Sequence, residues 1–223
     1  MNTNTIYKRL FIYISGLFLL ALGATFSIIA SIGVSPVTSL PYALSLITPL
    51  SVGITTILAN ICFIFVQALL LKEIRMNESF LQLLIAFVFG FFMDFTIWLT
   101  NSLPDATSIW LIVLYFIIGL VIVGFGLLFY FTANLPMMPY DSLTHVIANK
   151  WEMKFSKAKI TSDLLNVLFS LTLCLIFIHS FGAIGIGTFI AAYGIGKIVG
   201  ALLHAFQPRL KEWVFNTDND CIY

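Results

Sequence analysis

The sequence predicts an all-α polytopic membrane protein. Six transmembrane helices form two inverted three-helix repeats, each with a short helix or re-entrant segment after its first span. Three observations predict this. Apolar residues make up 60% of the 223 residues and charged residues only 9%, with a mean hydropathy of +1.03. A soluble domain carries roughly 25% charged residues, so this chain cannot coat a water-exposed surface. Its basic residues fall in alternate loops, and one short polar phrase occurs twice.

Spanning the hydrocarbon takes about 20 apolar residues per helix. Segments 10–32, 53–71, 79–99, 108–133, 160–178 and 183–205 qualify. None alternates with the period of two expected of a membrane barrel strand. Lys8 and Arg9 precede the first segment as in a signal peptide. It is too long for an h-region and lacks a small-residue cleavage site, so it reads as a retained helix.

Lys and Arg bias cytoplasmic loops. Lys8 and Arg9 precede span one. Lys72 and Arg75 follow span two, Lys150, Lys154, Lys157 and Lys159 follow span four, and Arg209 and Lys211 follow span six. Threading six helices puts all four groups on one side. The opposite segments, 33–52, 100–107 and 179–182, contain no Lys or Arg. Both termini are therefore expected in the cytoplasm.

The repeated phrase is "SPVTSLPYAL" from Ser35 and "MPYDSLTHVI" from Met138. A shift of 103 residues aligns Gly16 with Gly119, Gly23 with Gly126, Pro36 with Pro139 and Ser39 with Ser142. A shift of 106 aligns Asn60 with Asn166 and Gly90 with Gly196. The repeats are 1–103 and 104–207, with 208–223 as a cytoplasmic tail. Three spans per copy is odd, so the second copy enters the membrane upside down, as in many secondary transporters. Each phrase reads as a short helix, over 36–47 and 139–149. Pro36 and Pro139 suit the first helical position, where a missing N–H costs nothing. Ser35 is a fair N-cap and Met138 is not. The outer segment 33–52 carries no charge, so it is expected buried in protein or dipping into the membrane.

Polar residues inside spans are functional candidates. Asp94 falls in the outer third of span three, either on a pathway or satisfied near the interface. Lys197, in the inner third of span six, is placed to snorkel. Asn60 and Asn166 hold matching sites for interhelical hydrogen bonding or solute binding. Asp163 sits one turn before Asn166. With Ser35, Thr38, Ser39, Asp141, Ser142 and Thr188, these make up the candidate pathway. Gly196 and Gly200 form a small-xxx-small pair expected to permit close helix packing. Gln67, His179 and His204 are read as solvated or interfacial.

The phrases also carry a resemblance. Ser-Pro-x-x-Ser-Leu-Pro after span one, Pro-Tyr-Asp-Ser-Leu after span four and Gly-Ile-Gly-Thr (Gly185 to Thr188) opening span six resemble the YczE/YyaS/YitT group of bacterial integral membrane proteins. The resemblance covers nearly the whole chain and is closest to the YczE-like branch. That branch's first phrase reads Pro-aromatic-Asp-Ser-Leu-Pro, and here Val37 and Thr38 stand in place of the aromatic and the Asp. The resemblance implies a bacterial cytoplasmic membrane protein and no particular substrate.

No HExxH, GxSxG or GxxxxGK[ST] pattern occurs, so neither an enzyme nor an ATPase is expected. No cofactor or metal is expected either. Cys62, Cys174 and Cys221 have no metal spacing. A net charge of +1 points away from nucleic acid. The expected partners are the lipid bilayer and an unidentified small molecule or ion, and a homo-oligomer stays open. The leading function is a small secondary transporter. The alternative is an accessory or scaffold protein that moves nothing.

Overall fold

The computed structural model describes residues 3–73 and 76–215. Eight helices and no strands occur among them. They are α1 (Thr3–Ala30), α2 (Pro36–Ile47), α3 (Val52–Leu71), α4 (Met76–Thr100), α5 (Ile109–Thr132), α6 (Pro139–Lys150), α7 (Phe155–Phe177) and α8 (Ile186–Phe215). All but α2 and α6 are long and apolar enough to cross a membrane. The chain is a multi-pass membrane protein.

The spans are apolar all round, so hydrophobicity cannot choose which faces meet. In lipid that choice falls to small residues and interhelical hydrogen bonds. The antiparallel pair α1 and α5 sits at the centre. A Cβ at Gly16 would stand 2.8 Å from the Tyr130 backbone nitrogen and 3.0 Å from the Gly126 carbonyl. One at Gly23 would stand 2.8 Å from the Gly119 carbonyl. Around this seam Leu17, Ala21, Ala24, Phe89, Met93 and Tyr130 form the main core. Thr25 and Thr96 share a 2.8 Å hydroxyl bond that ties α1 to α4. Large apolar side chains such as Phe65, Phe91, Trp110 and Phe189 face outward, where lipid would lie.

The two short helices occupy corresponding places. α2 packs on α3 and α7, and α6 packs on the same two helices and touches α4. α1 packs on α4 as α5 packs on α8. One correspondence fails: α3 packs along α4, whereas among the described residues α7 and α8 have no comparable packed interface.

Basic groups hold helix ends. Arg9 Nε donates to the Ala133 carbonyl at 2.9 Å and Arg9 Nη2 to that of Asn134. Lys150 Nζ donates to the Leu70 carbonyl at 2.8 Å, and Lys8 Nζ to that of Trp213 at 3.0 Å. Cations suit the carbonyl end of a helix, where acceptors lack partners. At the opposite end, Val34 N–H donates to the Ala183 carbonyl (3.2 Å) and Gly187 N–H to the Ile32 carbonyl (2.8 Å). Gly33 turns the chain between them with φ +113°, and a Cβ there would lie 2.6 Å from the Gly185 nitrogen.

Four expectations need correction. The sixth helix does not end at 205: α8 runs through Pro208 to Phe215, so residues 208–215, expected in the tail, are helix, and the rest of the expected tail, 216–223, lies outside the described residues. Pro208 lies inside this helix and withholds its N–H from the ladder. Gly196 and Gly200 do not mediate packing, since a Cβ at either would meet nothing within 4 Å. α8 packs on α5 through Ile198 and Leu202, which fill the space at Gly124. Gln67 is buried rather than solvated. Ser35 occupies the N-cap position, but its side chain makes no capping bond.

Candidate functional site

Two polar clusters surround the two short helices. Pro41 lies inside α2 and cannot donate to the Val37 carbonyl one turn back. Asn166 on α7 reaches into that gap. Its Nδ2 stands 2.6 Å from the Pro36 carbonyl and 3.5 Å from that of Val37. One turn on, Ser170 Oγ lies 3.1 Å from Ser39 Oγ, and Ser39 donates to the Pro36 carbonyl at 2.7 Å. Ser35 and Thr38 pair through their hydroxyls at 3.0 Å. The α2 cluster is neutral, buried and internally paired.

The α6 cluster is charged. Lys159 Nζ lies 3.3 Å from Asp141 Oδ1 and 3.4 Å from Asp163 Oδ1, so two carboxylates share one ammonium. Tyr140 donates its phenol to Asp163 Oδ1 at 2.6 Å, and Lys159 lies over the Tyr140 ring at 4.3 Å. Burial, then the neighbouring charge of Asp163, pushes the Tyr140 phenol well above its ordinary range. On another face of α6, Ser142 accepts from Gln82 Nε2 at 2.8 Å.

The corresponding asparagine behaves differently from Asn166. Asn60 Nδ2 turns back to the Thr56 carbonyl of its own helix at 2.9 Å. Its Oδ1 is buried with no partner. So Asn166 bridges α7 to α2, and Asn60 does not bridge α3 to α6.

Ser35, Thr38, Ser39 and Asn166 are thus brought together around α2, and Asp141, Ser142 and Asp163 around α6. Pro36 and Pro139 begin these helices. Three candidates lie apart. Asp94 closes the start of α3: Oδ1 accepts from Gly53 N–H at 2.7 Å and Oδ2 from Ser51 Oγ at 2.6 Å. Thr188 is buried, accepting from Gly185 N–H at 3.3 Å. Lys197 is exposed on the outside of α8 beside the Tyr193 ring.

Two cavities flank the short helices. One of about 290 Å³ lies beside α2, lined by Ser27, Ser31, Gly33, Tyr42 and Ser180 among others. One of about 470 Å³ lies beside α6, between α3 and α4, with Gln67, Glu78, Ser142, His145, Asn149 and Lys150 on its walls.

Six spanning helices, two short helices packed among them and a polar cluster at each define an all-α, multi-pass membrane protein. The chain belongs to DUF6198, a family of unknown function, which matches residues 7–204. It is 31% identical over 199 residues to the uncharacterized protein YyaS of Bacillus subtilis (strain 168), covering 88% of this chain and 91% of that one. It is 24% identical over 198 residues to an uncharacterized protein of Haemophilus influenzae, covering 89% of this chain and 84% of that one. No solved structure matches. The resemblance read from the phrases holds, since YyaS is one of the proteins that name the group.

Sequence reasoning missed Lys159, Ser170, Gln67 and Gln82 as site residues. A signal for the first two exists. Lys159, Asp163, Asn166 and Ser170 recur every three or four residues, which puts one polar stripe on a single face of α7. Gln82 has no such companions in sequence, because its partner Ser142 comes from another helix.

Proposed function

We propose that this protein is a small secondary transporter of the bacterial cytoplasmic membrane, with both termini in the cytoplasm. Its two halves are inverted repeats that alternate access to a solute, and it carries out no catalysis. The observation that carries this reading is the seam between α1 and α5. The shift that aligns Gly16 with Gly119 and Gly23 with Gly126 converts the contact Gly16–Gly126 into Gly119–Gly23. Both contacts occur, as a two-fold axis in the membrane plane would require. The paired packing of α2 on α7 and α6 on α3 supports the same axis.

The departures from symmetry support alternation. Two similar halves supply two similar minima, and each minimum must be asymmetric. The α2 cluster is closed by the Asn166 bridge, while the corresponding Asn60 bridge is open. Solute would pass between the two short helices, with Asn60, Asn166, Ser39 and Ser142 along its route.

Two experiments test this. Single cysteines placed within 35–47 and 138–149, with Cys62, Cys174 and Cys221 replaced, should react with an impermeant maleimide from opposite compartments. Reaction from one compartment ends the inverted reading. In proteoliposomes a transporter gives saturable solute flux that Asn60→Ala or Ser142→Ala abolishes without loss of folding. Flux equal to empty vesicles, with a stable co-purifying partner, establishes the scaffold instead.

A further inference from the structure

The cavity beside α6 has a chemistry of its own. Its walls are the last turns of α3, the first turns of α4 and one face of α6. Ser142, His145 and Asn149 recur at helical spacing on that face, while Asp141 faces Lys159 on α7. Gln67 lines the cavity from α3, only 6% exposed. Its Oε1 has no hydrogen-bond partner. Gln82, one turn beyond Glu78 on α4 and 4% exposed, holds Ser142 through Nε2 and also leaves Oε1 without a partner.

The donors on these walls are largely engaged. Lys150 donates to the Leu70 carbonyl and Gln82 to Ser142. What remains is acceptor capacity: the amide oxygen of Gln67 on the wall, with the Ser142 hydroxyl, held by Gln82, able to donate in return. Buried polar groups in native proteins are nearly always paired, so the orphaned Gln67 acceptor on the cavity wall points to a donor-bearing ligand.

We propose that this cavity binds small solutes through N–H donors, a primary amide or a primary ammonium, held by Gln67 and by the Ser142 that Gln82 positions. The inference deepens the transport reading and rests on it for the site's purpose, because it names the chemistry of the solute's docking place beside α6. A primary amide matches the walls most fully, offering two N–H donors and one carbonyl for Ser142. The volume of about 470 Å³ is within the usual range for small-molecule pockets.

The test uses the purified full-length protein and follows thermal unfolding by tryptophan fluorescence. The probes are two matched pairs: propionamide against N,N-dimethylpropionamide, and methylammonium against tetramethylammonium. A ligand that binds the folded state raises the midpoint by mass action. At least one donor probe is expected to raise it saturably while its methylated counterpart does not. Whichever donor probe acts identifies the preferred class. Gln67→Leu should remove the shift while leaving the ligand-free midpoint no lower. The proposal is overturned if neither donor probe shifts the midpoint, if the methylated probes act equally, or if Gln67→Leu keeps the shift. The matched probes decide the matter on the parent protein even where a variant fails to fold. Binding without flux in proteoliposomes would sustain the site and remove the transport reading, so the two fail separately.

Discussion

Burying an amide with an unpaired oxygen destabilises a fold by about 1–3 kcal/mol. Gln67 meets that description. Replacing it with Leu should therefore raise ligand-free stability by up to that amount, read as a higher unfolding midpoint, while binding is lost. A lower midpoint would mean the amide is already satisfied. The glycines give a sharper contrast. A side chain at Gly16 meets the Tyr130 backbone at 2.8 Å. Backbone cannot step aside, so Gly16→Val should cost about 1–3 kcal/mol by overpacking. Gly196 has open space around it, so Gly196→Ala should gain up to about 1 kcal/mol from helix propensity alone. The phenol of Tyr140 adds a pH dependence. Its folded pKa lies above the ordinary phenol value of 10.0, so the neutral phenol favours the folded state. That contribution is complete below pH 10 and falls away as pH rises above it. Tyr140→Phe should flatten the alkaline loss of stability. An unchanged profile would place the titration elsewhere.

The elements show which features a sequence can reveal. Hydropathy marks the spans because membrane crossing is a property of composition over about 20 residues. The proline of each phrase begins its short helix at the expected residue, because proline's fixed φ is a local constraint. Facing is not local. Gly196 and Gly200 carry the pattern of a packing motif, yet α8 meets α5 through Ile198 and Leu202 instead. Gln67 lies in the last part of a span, where solvent exposure is the natural expectation, but α6 folds back over it. Asp94 has the strongest intramembrane signal of any residue in the first half. It holds the start of α3 through Gly53 and Ser51, a contact made across 41 residues of chain. Hydrogen bonds to a charged acceptor contribute about 1.5–3 kcal/mol. Asp94→Ala should lower stability by roughly that much, whereas Asp94→Asn, which keeps an acceptor for Gly53, should cost less. If Asp94 instead carries a coupling proton, Asp94→Asn would abolish pH-dependent uptake with stability intact.

The whole molecule turns on one broken correspondence. Gly90 of α4 lies against α3, where a Cβ would meet Ile57 Cγ1 at 2.5 Å and the Gly53 carbonyl at 2.7 Å. The repeat relates Gly90 to Gly196 and Ile57 to Asp163, yet a Cβ at Gly196 on α8 would meet nothing within 4 Å, and α7 does not pack along α8 as α3 does along α4. If the halves exchange roles during transport, α8 must close on α7 as α4 now lies on α3, and the open glycine face is the room for that motion. A protein with one fixed arrangement has no use for the vacant face. Cysteine pairs read the difference, since a disulfide needs Cα atoms within about 7 Å. With the native cysteines replaced, Ile57→Cys with Gly90→Cys should cross-link readily on mild oxidation in membranes. Asp163→Cys with Gly196→Cys should cross-link more slowly, at a rate set by visits to the closed form. Solute should change the two yields in opposite directions, because a ligand shifts a two-state equilibrium only by binding one state better. Absence of the second cross-link under conditions that complete the first would leave α8 permanently parted from α7, and alternation between these halves would be excluded.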